Sequence, residues 1–159
     1  MKKTHLFNSL DYESYNKKNK INELVGINLE NYGDLDSKQI RSTFYSVDPT
    51  NQESYTPELD DLIRLHYLVK KRKITTVLEF GLGKSSIVLA SALAENKELY
   101  SEDVSKLRRS NPFELHSIEN NIGWIEYTKE SIKEELGSTN ELVNLHYCPL
   151  EVGSFNDRM

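Results

Sequence analysis

Cysteine occurs only once in the 159 residues, at Cys148. An intramolecular disulfide is therefore excluded, and a reduced, cytoplasmic location is the expectation. No Cys-x-x-Cys pair is present, and the four histidines (5, 66, 116 and 146) are scattered. No metal is expected from that spacing. Long apolar runs are also missing; none approaches the roughly 20 residues that cross a bilayer, so no membrane association is expected. The opening stretch MKKTHLFNSLDYES has basic residues but no sustained apolar core. It is not expected to act as a secretion signal. With 7 glycines and 4 prolines the chain is too poor in both for a low-complexity segment. An excess of positive charge is lacking as well, the net charge being −5. Nucleic-acid binders usually carry a basic face, so nucleic acid is not an expected partner.

What remains is ordinary globular composition, 37% hydrophobic and 28% charged, in a length suited to one domain. Residues 1–55 are polar and rich in tyrosine, with little sustained period. They read as an irregular or mostly helical arm, with short helical pieces at Lys20 to Val25 and Ser37 to Thr43. Tyrosines 12, 15, 32, 45 and 55 read as anchors of that arm, with a role in lining a site as the alternative.

Residues 56–159 read as an α/β domain. "TPELDDLIRLHYLVKKRK" has Thr56 to cap, Pro57 for the first helical position, acids early and Lys70 to Lys73 late. Leu59, Leu62, Ile63, Leu65, His66 and Val69 form its apolar face. "ITTVLEF" (74–80) is β-branched and apolar without alternation, which predicts a strand buried on both faces. "KSSIVLASALAEN" reads as a helix, and the charged residues 97–113 as an inserted loop. "ELHSIE" reads as a second strand. "NIGWIEYTKESIKEEL" is a second crossover helix that Gly137 stops, and "LVNLHYCPL" is a third strand. Strands alternating with helices predict parallel pairing with right-handed crossovers.

The turn "VLEFGLGKSS" (77–86) is the candidate site. Its Gly83, Lys84 and Ser85 match only the end of a phosphate-cradling P-loop, because Leu78 stands where that loop needs its first glycine. Gly81 and Gly83 match the start of a dinucleotide fingerprint, but Ser86 replaces the third small residue. The third pattern is an acid, any residue, then Gly-x-Gly, met by Glu79, Gly81 and Gly83. A carboxylate at the end of a buried strand calls for compensation, which a cationic ligand supplies. Pairing with a neighbouring amide or lysine is the plainer alternative. Glu119 ends the second strand, where a carboxylate accepts from both hydroxyls of a ribose. It lies beyond the usual distance of roughly 20 residues, an excess that the insertion is taken to absorb. Asp103 stands nearer that distance, but "YSEDVSKLRR" does not read as a strand. A helix N-cap role is the plainer reading of Glu119.

"TTVLEFGLGKSS", "LHSIENNIGWIEYTKE" and "VNLHYCPLEV" resemble, in that order, the first three strand regions of class I S-adenosylmethionine-dependent methyltransferases, over roughly residues 57–159. The resemblance implies a Rossmann-like parallel sheet with S-adenosylmethionine across the strand C-termini. It implies Glu79 near the methionine ammonium, with Gly81, Gly83, Ser85 and Ser86 lining the cofactor. Glu119, with Asn120 beside it, would hold the ribose. Ser85 stands where the family often has a third glycine. Trp124 is a candidate to flank the adenine or to pack in its helix. The family's sheet continues with a fourth strand next to the first, and this chain stops after the third. The expectation is a truncated, cofactor-binding half whose methyl acceptor and catalytic base are unknown. The open sheet edge is a candidate for homo-oligomer formation. His116 and His146 read as core or surface histidines. The alternative function is a noncatalytic S-adenosylmethionine-binding or assembly module.

Overall fold

The structure is a computed structural model and describes residues 7, 9–29, 58–108 and 112–151. The expected helical piece at Ser37 to Thr43, tyrosines 32, 45 and 55, and the cap formed by Thr56 and Pro57 lie outside the described residues. The chain divides into two compact units, Met1–Arg64 and Leu65–Met159.

In the first unit, helix α1 covers Tyr12–Asn19 and α2 covers Ile21–Leu24. The sequence pattern predicts only the second of these. Helix α1 begins at Asp11, whose side chain accepts from the Ser14 amide. Lys20 turns the corner with a left-handed φ of 53°. The corner is held by an amide pair: Asn16 donates to Asn22 Oδ1 at 2.9 Å and accepts from the Asn22 amide at 3.0 Å. Asn16 is buried, so this pair does work that an apolar stripe does elsewhere. Helix α3 spans Leu59–Lys71. Leu59, Leu62, Ile63, His66 and Val69 are buried along it at helical spacing. Arg64 bridges to Asp60 at 2.8 Å and donates its Nε to the Tyr12 hydroxyl at 2.7 Å.

The second unit holds strands β1 (Thr76–Phe80), β2 (Glu114–Glu119) and β3 (Val143–Tyr147), in the order β1-β2-β3, all parallel. Helix α4 (Lys84–Ser105) crosses from β1 to β2, and α5 (Ile122–Leu136) crosses from β2 towards β3. Gly137 closes α5 with a φ of 54°, and a 3-10 helix over Gly137–Leu142 leads into β3. The core gathers Val69 of α3, Leu89, Ala90, Ala92 and Leu93 of α4, and Leu115 of β2, with Val77 and Val143 against them. The first three turns of α4 are buried nearly all round, which explains their Ala and Ser content. Asn96, fully buried, donates to the Val69 and Ile74 carbonyls at 3.0 and 2.9 Å and so ties the α3–β1 turn to α4.

Two expectations are corrected. Residues 97–105 are not a loop: α4 continues unbroken to Ser105. No glycine or proline interrupts it there, Lys, Glu, Leu and Ser are compatible with a helix, and Val104 returns to the interior. Asp103 is accordingly an exposed helix residue. The segment 106–108 leaves the helix, and residues 109–111 lie outside the described residues. Nor is β1 buried on both faces. Leu78 is 58% and Phe80 79% exposed. The core residues Val77, Leu115 and Val143 share one face by strand register, and α3, α4 and α5 supply that core. Leu78 and Phe80 alternate onto the opposite face.

Candidate functional site

The sequence-predicted site residues meet at the C-terminal rim of the sheet. Gly81 follows β1 directly, and its amide donates to the Ile118 carbonyl at 2.8 Å, which extends the β1–β2 ladder into the turn. Its φ of +91° is one that side-chain-bearing residues rarely adopt, which accounts for a glycine there. Gly83 has an extended φ, and a Cβ added to it would meet nothing within 4 Å. Gly83 is the N-cap of α4, where glycine is accepted and apolar side chains are disfavoured. What its absent side chain leaves is room above the turn.

Glu79 lies below that turn on the helix-covered face. Its Oε1 accepts from the Ser85 hydroxyl at 2.5 Å; its Oε2 accepts from Ser86 at 2.7 Å and from Ser117 at 2.8 Å. The Gly83 amide in turn donates to Ser86 Oγ at 3.2 Å. Ser117 pairs with Glu79 across the parallel strands and is fully buried. The compensation anticipated from a cationic ligand is thus supplied in part from within, by three hydroxyls. Those donors are neutral, so the carboxylate's charge is stabilised but not cancelled. A negative charge under the start of α4 also disfavours a phosphate at that helix end, and the hydroxyls that would serve a P-loop already donate to Glu79.

Glu119 ends β2, two residues beyond Ser117 and therefore on the same face as Glu79. Its Oε1 accepts from the Asn120 and Asn121 amides at 2.8 and 2.9 Å. Asn121, the residue that caps α5, accepts from the Trp124 amide at 3.1 Å. The plainer reading of Glu119 as a turn-fixing acid is therefore realised in part. Two of the carboxylate's roughly four acceptor positions are filled, and Oε2 has no hydrogen-bond donor among the described residues. Asn120 is exposed beside it.

Two parts of this rim, Ser117 and the backbone of Cys148, were not singled out in the sequence, and a third, Trp124, takes a role other than either one expected for it. Ser117 joins the two acids, and the pattern Ser-Ile-Glu, placing it one inward position before Glu119, is the signal that could have found it. Trp124 is neither simply core nor free. Its indole N–H donates to the Leu82 carbonyl at 2.7 Å, and its ring lies against Tyr127 at 5.2 Å between centroids. It thereby clamps the first turn of α5 to the glycine turn. The Cys148 amide donates to the Glu119 carbonyl at 2.9 Å, so β3 continues the rim past Tyr147.

Away from the rim, the buried His66 places Nε2 3.2 Å from Glu95 Oε1, and Lys70 pairs with the other carboxylate oxygen. The His66 imidazole, followed by the Lys70 ammonium, holds the Glu95 carboxyl down at about 2, against the opposing effect of burial. This cluster joins α3 to α4. Among the described residues no helix is long and apolar enough to cross a membrane. In comparisons with known proteins, no family model, no curated protein and no solved structure matches this chain.

Proposed function

We propose that the rim of this parallel sheet binds S-adenosylmethionine, and that the chain is the cofactor-binding portion of a methyltransferase. The observation that carries the reading is the pair of carboxylates, Glu79 and Glu119, on one sheet face beside a glycine turn that is open at Gly83, where an added Cβ would meet nothing within 4 Å. Ligands of open parallel sheets bind outside the strand C-termini, where this turn lies. A cofactor with an α-ammonium and a sulfonium suits the uncancelled charge of Glu79. The free oxygen of Glu119 retains acceptor positions for two ribose hydroxyls. Methyl transfer from a sulfonium needs chiefly the alignment of donor and acceptor and the exclusion of water. The residues named here serve the donor; the acceptor and any base for it are not assigned.

A noncatalytic S-adenosylmethionine-binding module would use the same rim, and only an assay of methyl transfer separates the two. Isothermal titration with S-adenosylmethionine is the first test, and saturable 1:1 binding is expected. Glu119→Ala is expected to weaken it at least about tenfold, on the order of the loss of a hydrogen bond to a charged group. Gly83→Asn is expected to weaken it with little change in unfolding midpoint, because asparagine is at least as good a helix cap as glycine and the added side chain starts in open space above the turn. Absence of binding by the unaltered chain, or wild-type affinity in both variants, defeats the proposal.

A further inference from the structure

On the sheet face opposite the core, Glu114, His116 and His146 form a line. Parallel pairing sets His116 of β2 beside Asn144 and Ile118 beside His146, so the two imidazoles are brought together on neighbouring strands. His116 Nδ1 lies 3.1 Å from His146 Nε2, and His116 Nε2 lies 3.1 Å from Glu114 Oε2. The ring centroids are 5.4 Å apart with planes 22° from parallel. That separation is about the N···N distance plus the two short ring-centre-to-nitrogen distances, so the facing nitrogens lie nearly in line between the rings. The contact is edge to edge, not a face-to-face stack.

The order of charges fixes the hydrogens. An ionised Glu114 only accepts, so His116 Nε2 carries a hydrogen and, in the neutral ring, Nδ1 presents its lone pair towards His146. His146 then fills the gap with its own Nε2–H. Moving that hydrogen to the Nδ1 of the exposed His146 ring turns two facing nitrogens into two lone pairs, with no net proton released. A carboxylate that accepts from the far nitrogen of a histidine is also the arrangement that orients metal-bound imidazoles and raises their basicity.

We propose that His116 Nδ1 and His146 Nε2 chelate a divalent late transition metal ion, Zn²⁺ being the natural probe, with Glu114 as the positioning residue. Imidazole pairs suit Zn²⁺, Cu²⁺ and Ni²⁺ rather than Mg²⁺ or Ca²⁺. At bond lengths of roughly 2.0–2.1 Å, a tetrahedral ion needs its two nitrogens about 3.3 Å apart, so the pair must open by a few tenths of an ångström and each ring must swing by about 35°, to turn lone pairs that now lie in line towards one ion. Among the described residues no group of three or more His, Cys, Asp or Glu side chains is gathered for a metal. The site is thus bidentate, with water completing the coordination, and moderate affinity is expected. Sequence spacing hides it because its two ligands stand 30 residues apart.

The test is isothermal titration of the full chain with ZnCl₂ at pH 7.5 in a thiol-free reductant. One equivalent of Zn²⁺ is expected to bind. His116→Asn and His146→Asn are each expected to weaken binding at least about tenfold, since even losing an outer partner of a metal ligand costs 10–100-fold. Cys148→Ser is included because Cys148 is an exposed thiol two residues beyond His146, and it is expected to leave binding unchanged. His146 is exposed, so its substitution keeps the test readable if His116→Asn disturbs the strand; thermal unfolding without metal checks both. No binding by the unaltered chain, binding that survives both histidine substitutions, or binding abolished by Cys148→Ser alone overturns the proposal.

Discussion

Glu79 combines a charge with a shape, and substitution can separate them. Three serine hydroxyls donate to its carboxylate, and a hydroxyl can rotate to accept instead. Glu79→Gln therefore keeps the group's outline and much of its bonding while removing its charge. Its expected result is a smaller loss of stability than Ser117→Ala causes, together with weaker S-adenosylmethionine binding. Ser117→Ala does the reverse. It leaves the charge in place but removes a donor from a fully buried position. A hydrogen bond to a charged group contributes about 1.5–3 kcal/mol, and a loss of about 2 kcal/mol in urea denaturation is expected. If Glu79→Gln instead destabilises the fold as much as Ser117→Ala does, Glu79 is chiefly a structural hub of the turn. The motif at 79–83 was legible because spacing alone reveals an acid and two glycines. Its hydroxyl partner Ser117 was not, because only strand register brings residue 117 to residue 79.

Elements were legible where their ends carry chemical signals. "ELHSIE" became β2 without a shift of boundary, and α5 stops at the glycine expected to stop it. One helix and the end of another escaped for different reasons. The last turns of α4 are charged and mostly exposed, so no apolar stripe marks them, yet nothing in them breaks a helix. Helix α1 buries Asn16 instead of an apolar face, and hydrophobic periodicity does not register an amide pair. The join between α3 and α4 yields a prediction of pH dependence. Glu95 has its carboxyl lowered from 4.5 to about 2 by His66 and then Lys70. A depressed carboxyl stabilises the fold above its unfolded value, and that contribution fades as pH falls from about 4.5 through about 2. Glu95→Gln should therefore lower the thermal midpoint at neutral pH, with a difference from the unaltered chain that narrows across that window. A difference that stays constant down to pH 2 would mean that Glu95 acts through packing alone.

For the whole molecule, the side of the sheet on which the described residues build no core is the informative feature. Parallel sheets are ordinarily covered on both faces, because their crossover helices leave little sheet exposed to water. Here the core-forming helices serve one face, while Leu78 and Phe80 of the edge strand β1 stand out from the other. The apolar run "ITTVLEF" was read as doubly buried because its composition records an environment that the described residues do not supply. Exposed side chains contribute little to the stability of the isolated chain, and surface substitutions usually change it by no more than about 0.5 kcal/mol. The double substitution Leu78→Thr and Phe80→Thr is accordingly expected to leave the urea midpoint within about 1 kcal/mol of the unaltered chain. An apolar edge strand also favours association between copies. Sedimentation velocity over a range of concentrations should then show self-association of the unaltered chain, reduced in the double variant. A loss of several kcal/mol on substitution would instead show that the face is covered within the chain, and its apolar composition would then be explained by that cover.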